Sequence, residues 1–156
     1  MSNWITITEE HIKTRLAGPE LVAFKSAALA EGQTGADVLA DVTSQVVDRV
    51  RGYCAQAVKG GYLKEMGAAG TVPSRLVNVT ANIIRYELAT RLPGMRKLID
   101  ELRQKQQDRD VQLLEQVASG KFAAEDPEGE ETAVSVPSPT ISGRTKQYGR
   151  DSQDGI

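Results

Sequence analysis

A chain of 156 residues has the length of one compact domain rather than two. With 40% hydrophobic and 26% charged residues and a formal net charge of −2, it has the composition of a soluble globular protein with no global drive toward nucleic acid or anionic lipid. A single cysteine, Cys54, excludes an intrachain disulfide and fits a reducing compartment, a lone His11 removes a zinc site of the Cys/His type, and the few aromatic residues leave the core to Leu, Ile, Val and Ala.

The opening Met1-Ser2-Asn3-Trp4 runs into alternating Ile and Thr without a basic stretch or a long apolar run, so neither a secretory signal nor a membrane span is expected. Thr6 and Glu9 stand at capping-box spacing ahead of Ile12 and Leu16, which predicts a short first helix ended by Gly18-Pro19. Pro19 then suits a first helical position, and Leu21, Val22, Phe24, Ala28 and Leu29 supply the apolar face of a second helix reaching Gly32. From Gly35 the stripe Leu39, Val42, Val46, Val50, Tyr53, Ala57 predicts a third helix of about five turns. Asp41, Ser44, Gln45, Asp48, Arg49 and Gln56 form its solvated side.

Lys59 to Thr71 contains four glycines and no sustained period; it reads as a long loop with a short strand or a mobile flap. Pro73 restarts a helix carrying two stripes, Leu76, Val79, Ile83, Tyr86 and Val77, Thr80, Ile84, Leu88, a face wide enough for a central position. Pro93-Gly94 forces a turn, and a fifth helix begins with Met95, Leu98, Ile99 and Leu102. Its middle, Arg103 to Asp110, is polar and faces water or another subunit before Leu113, Leu114 and Val117 resume the apolar register. The expected fold is therefore all-α, a small bundle of four to five helices with a long glycine-containing loop.

The composition changes near Gly120. Residues 1–120 carry 15 Lys and Arg against 14 Asp and Glu, whereas residues 121–156 carry 4 against 7, with Pro127, Pro137, Pro139 and many Ser, Thr and Gly. So few large apolar residues cannot offset an ordering cost of roughly 1–2 kcal/mol per residue. The expected organisation is a helical domain over 1–120 and an extended, partly disordered arm over 121–156. Within the arm, Val134 to Ile141 is an apolar extended peptide, followed by the basic Gly143 to Arg150. Val136, Pro137, Ile141 and Tyr148 make it a candidate docking arm, set against plain disorder.

Catalytic, cofactor and metal sites are not expected, and the chain does not read as an enzyme. His11 lies on a short charged helix, Cys54 beside an apolar stripe, and Glu9-Glu10, Asp100-Glu101 and Asp108/Asp110 have basic residues at helical spacing. Gly60-Gly61 and Gly67 to Gly70 lack the Gly-Lys-Ser/Thr of a phosphate loop. Basic residues recur at Arg75, Arg85, Arg91, Arg96, Lys97, Arg103, Lys105 and Arg109, with acids interspersed. Of these, Arg96, Arg103, Lys105 and Arg109 are candidate channel-lining or subunit-interface residues; the plain alternative is a mixed solvated surface.

Several phrases together resemble the small helical head-tail adaptors of Mu-like phages and prophages, related to connector and head-completion proteins. They are the Thr-Glu-Glu start within Ile5 to Leu16, Val-Asp-Arg-Val-Arg-Gly-Tyr within Val38 to Ala57, the loop ending in Val72-Pro73, Ile84-Arg85-Tyr86-Glu87-Leu88, and Val-Ala-Ser-Gly-Lys closing Leu113 to Lys121. The resemblance spans residues 5–122, and the arm beyond Phe122 departs from it. It implies a homo-oligomeric ring, typically a dodecamer, in the virion neck, assembled in the bacterial host cytoplasm beneath the portal protein. Such a ring extends the DNA channel with weak, non-specific DNA contact, offers a docking surface to a tail-terminator or stopper protein, and involves no membrane. From another class, the alternative is a helical DNA-binding or regulatory protein.

Overall fold

The computed structural model describes residues 3–16, 18–30, 32, 34–92, 96–97 and 99–127. Its longest helix starts where Thr34, in extended backbone, accepts the Asp37 amide on its side-chain oxygen at 3.4 Å. From there α3 runs over Gly35–Lys59, burying Val38, Val42, Val46, Val50, Cys54 and Ala57 at spacings that keep one stripe inward. It ends in a Schellman turn: Tyr62 N–H donates to the Ala57 carbonyl at 2.9 Å and Gly61 N–H to Val58 at 3.0 Å, with Gly61 at φ +77°.

The remaining elements arrange themselves around that rod. β1 (Trp4–Thr6) pairs antiparallel with β2 (Thr71–Pro73), setting Trp4 opposite Pro73, Ile5 opposite Val72 and Thr6 opposite Thr71. Two helices, α1 (Glu9–Lys13) and α2 (Gly18–Ala30), precede α3. After β2, a single 3-10 turn at Ser74–Leu76 leads into α4 (Val77–Arg91), and α5 (Glu101–Ala118) closes the bundle. α3 packs against α2, α4 and α5, while α4 also meets α1 and α5. The wide face read on α4 is accordingly internal: Leu76, Ile83, Ile84 and Leu88 are fully buried, each worth roughly 1.5–3 kcal/mol of burial. Thr80, buried beside them, donates its hydroxyl to the Leu76 carbonyl at 2.8 Å and leaves no orphan.

The architecture is the expected helical bundle, with the two-stranded ribbon as an addition. Three local expectations change. The first helix is capped by Thr8, not Thr6, because Thr6 is held in β1; the third position is His11, whose Nδ1 accepts the Thr8 amide at 3.1 Å in place of the usual Glu or Gln. The second helix buries Phe24 and Ala28 but turns Val22 and Leu29 outward, 65% and 72% exposed. Its inward stripe starts instead at Glu20, four residues before Phe24.

The fifth helix begins at Glu101 rather than near Met95, since Asp100 caps it by accepting the Arg103 amide at 2.8 Å. Leu102 then points outward at 75% exposure, and Leu114 and Val117 enter the core. Pro93 to Met95 and Leu98 lie outside the described residues. α5 ends in a second Schellman turn, with Lys121 N–H on the Gln116 carbonyl at 2.8 Å and Gly120 at φ +73°.

The compositional change at Gly120 coincides with the end of α5, and the chain as far as Pro127 returns to the body. Trp4 Nε1 donates to the Glu125 carbonyl at 2.7 Å, and the Asn3 amide donates to the Pro127 carbonyl at 3.2 Å. Val136, Pro137, Ile141 and Tyr148 of the candidate arm lie outside the described residues.

Candidate interaction surface

The glycine-containing segment between α3 and β2 is pinned rather than open. Arg51, on α3, spreads its guanidinium over three loop carbonyls: Ala68 at 2.8 Å, Thr71 at 2.7 Å and Gly67 at 3.1 Å. Its other side covers Trp4, 5.6 Å from the ring centroid, a distance at which the cation is attracted to the π face. Gly67 is needed where it stands, because a Cβ there would fall 2.5 Å from the Trp4 ring. Asp126 adds a further tie, accepting the Lys64 amide at 2.9 Å.

The basic residues read along the fourth and fifth helices are mostly engaged inside the molecule. Arg75 pairs with Glu125 at 3.2 Å, Arg85 with Glu20 at 2.6 Å, Lys105 with Glu101 at 2.6 Å, Arg91 with Asp41, and Arg103 with Glu20. The Arg91 hydrogen bond holds the Asp41 carboxyl below its usual value. Of the four candidate channel or interface residues, Arg103 is thus committed to the α2–α5 contact and Lys105 to a same-helix pair. Arg96 is exposed and donates to the Thr90 carbonyl at 3.3 Å; Arg109 is exposed, with no ion pair among the described residues. The four do not form one patch of unpaired cations.

The acids behave unequally. Glu9 and Glu101 pair with Lys13 and Lys105 one helical turn away, as their spacing suggested. Asp110 does not sit on the outer surface: it is half-buried on the inner side of α5, and burial raises its carboxyl pKa against the lowering effects of an Asn82 hydrogen bond and Arg15. Asp110 Oδ2, Gln107 Oε1 and Arg85 Nε are buried without hydrogen-bond partners beside a space of about 20 Å³ between α4 and α5, too small for an organic ligand. Cys54 is buried as expected, and burial pushes its thiol up to about 11. No helix among the described residues is long and apolar enough to cross a membrane, and none of their His, Cys, Asp and Glu side chains group to hold a metal ion.

What remains open is apolar. A groove runs between α1, α2 and the first half of α3 as two adjoining cavities of about 290 and 470 Å³. Glu9, Ile12, Ala36 and Leu39 line both; Leu16, Phe24 and Leu29 wall one end, Thr6, Ile7, Val47 and Gly70 the other. Small side chains on α3, Ala36, Ala40, Thr43 and Ser44, let a ligand approach the helix closely. Sequence periodicity misses this groove because it assigns Leu29 inward. The helical step from Phe24 to Ala28 leaves Leu29 off the buried stripe, and that offset is the available signal, legible only once the phase of α2 is fixed.

A family model that covers most of the chain makes this helical bundle a bacteriophage protein. More narrowly, the chain belongs to the family described as bacteriophage Mu, Gp36, whose model matches residues 7–140. The match runs past the described body and into the apolar part of the arm. Neither a curated protein nor a solved structure gives a match.

Proposed function

We propose that this protein is a structural head-tail adaptor, forming a ring beneath the portal protein that extends the DNA channel and presents a docking surface to a tail-terminator or stopper protein. In this reading it occupies the virion neck, and a dodecamer is the expected ring. The observation that carries the proposal is a phage-family body whose charges are largely paired within the subunit while Val22, Leu29 and Leu102 are uncovered. Glu20 and Arg103 join α2 to α5, so the helices that carry Val22 and Leu102 are neighbours. In the ring these uncovered apolar side chains would be buried against adjoining subunits or the portal.

Closed repetition of one modest interface around a ring also makes weak individual contacts collectively strong. The exposed Arg96 and Arg109 remain available for weak, sequence-blind contact with DNA in a channel. A duplex-binding regulator is less well supported, since internal pairing removes most of the cations it would use.

Electron microscopy of particles from the parent phage with an early stop codon in this frame tests the proposal. Filled or leaking heads beside unattached tails are expected; normal joined virions would exclude the adaptor role.

A further inference from the structure

We infer that the groove between α1, α2 and α3 is the docking site for this chain's own arm, residues Val134 to Ile141, in the free subunit. The inference rests on the groove, the reach of the chain and the arm's sequence; it concerns the free subunit, and Leu29 is uncovered for the ring only when the arm leaves the groove.

Reach comes first. The Pro127 carbonyl is bonded to Asn3 N–H at the start of β1, and the three residues of that strand lead to Thr6, which lines the groove. That is about 10 Å at 3.3 Å per residue. The seven steps from Pro127 to Val134 span up to about 24 Å when extended, so the arm reaches the groove of its own subunit with slack.

Length agrees as well. The groove follows α3 from Gly35 to Asp48, about 20 Å at 1.5 Å per residue. Val134 to Ile141 in a polyproline conformation covers about 22 Å at 3.1 Å per residue.

Composition points the same way. Pro137 and Pro139 fix much of the backbone in advance and lack amide hydrogens that an apolar groove would leave without partners. The small α3 side chains beneath them permit the close approach that an extended peptide needs. The family match continues through residue 140, so the shared pattern takes in Val134 to Thr140 and not only the helical body. Attachment to the body gives the arm an effective concentration in the millimolar range, enough for even a weak peptide site to be filled from the same chain.

The test uses the full chain with Cys54→Ala and a cysteine pair, Leu39→Cys with Val136→Cys, against a control pair, Gln56→Cys with Val136→Cys, whose partner is exposed on α3 beyond the groove. Under mild oxidation the groove pair is expected to close an intrachain disulfide at least tenfold faster than the control, with the protein remaining monomeric on a non-reducing gel. Equal rates would overturn the proposal; a disulfide-linked dimer would overturn the own-chain assignment in favour of a second copy's arm. A second measurement leaves the body unaltered: Val136→Asp with Ile141→Asp in the full chain should raise the fluorescence of an added apolar-surface dye severalfold, and an unchanged signal would count against docking.

Discussion

The Glu20 carboxylate of α2 accepts the Arg85 guanidinium of α4 at 2.6 Å, with Glu20 buried and Arg85 only 26% exposed. Arg103 of α5 reaches the same carboxylate oxygen, so a single acid joins three helices. Replacing it by Gln leaves two guanidiniums converging on a neutral amide. Removing one partner from such a pair costs more than forming the pair contributes, because the remaining charges stay partly desolvated. Glu20→Gln should therefore lose roughly 3 kcal/mol of unfolding free energy in urea. A loss near zero would show that solvent screens both arginines.

Arg51 is the corresponding tie for the loop. Arg51→Lys keeps the charge but cannot span three carbonyls with a planar fork, and its ammonium covers Trp4 less well. Amide exchange measured over residues 63–71 should accelerate by about tenfold, with α4 unaffected, as expected when roughly 1.4 kcal/mol of local hydrogen bonding is lost. Uniform acceleration across the bundle would instead make Arg51 a determinant of global stability.

Much of the bundle was legible because helix periodicity is a strong signal when the inward stripe is long: α3 and α4 buried most of the residues their spacing indicated, with Leu39, Tyr53, Val77 and Tyr86 only half-buried at the stripe edges. α2 was not, since its stripe begins with a buried acid, and a glutamate in a first turn reads as a solvated residue favourable to the helix dipole. The start of α5 depended on whether Asp100 capped the helix or lay within it, and apolar residues before it masked that choice. The ribbon is only three residues per strand; Ile5 and Thr6 alternate, but pairing with residues 71–73 is a long-range event that local spacing does not encode. Of the candidate site residues, Arg103 found its acid across a helix contact, which charge along a sequence does not reveal, whereas Lys105 pairs with Glu101 one turn away, as helical spacing suggests.

Gly120 carries two constraints together. Its φ of +73° is disfavoured for a side-chain-bearing residue, and a Cβ there would lie 2.3 Å from the Tyr62 ring, which also crowds Gly60 at the end of α3. Gly120→Ala should destabilise by about 2–4 kcal/mol, combining left-handed strain with overpacking. In a Tyr62→Ala background only the strain remains, about 1–2 kcal/mol. Equal penalties in the two backgrounds, measured by urea denaturation, would mean that Tyr62 moves aside without cost.

Cys54 reports on the integrity of the core. Its thiol is held at about 11 by burial, partly opposed by the Arg51 charge, so almost none is thiolate at pH 8, and the sulfur is also shielded from reagent. Labelling by a thiol-specific disulfide reagent should be at least a hundredfold slower in the native protein than in 6 M guanidinium. Rapid native labelling would reveal opening of the α3 core on the experimental timescale.

Asp110 sets a pH dependence of the opposite sense to that of an acid held charged by a salt bridge. Burial raises its folded-state pKa above the ordinary value of 3.8, so the folded protein binds its proton more tightly than the unfolded chain does. The stability this supplies is complete below the ordinary pKa and is lost as pH rises through the folded value. At neutral pH the ionised, partly buried carboxylate therefore opposes folding, with Oδ2 lacking a hydrogen-bond partner. Asp110→Asn removes the charge, keeps the shape and offers an amide donor beside the unpartnered Gln107 Oε1, which lines the same small cavity. The variant should be more stable than the parent at pH 7, with its advantage shrinking as pH falls toward 4. Urea unfolding at both values measures this, and a variant less stable at pH 7 would mean that the Asp110 charge is offset by Arg15 rather than left to burial.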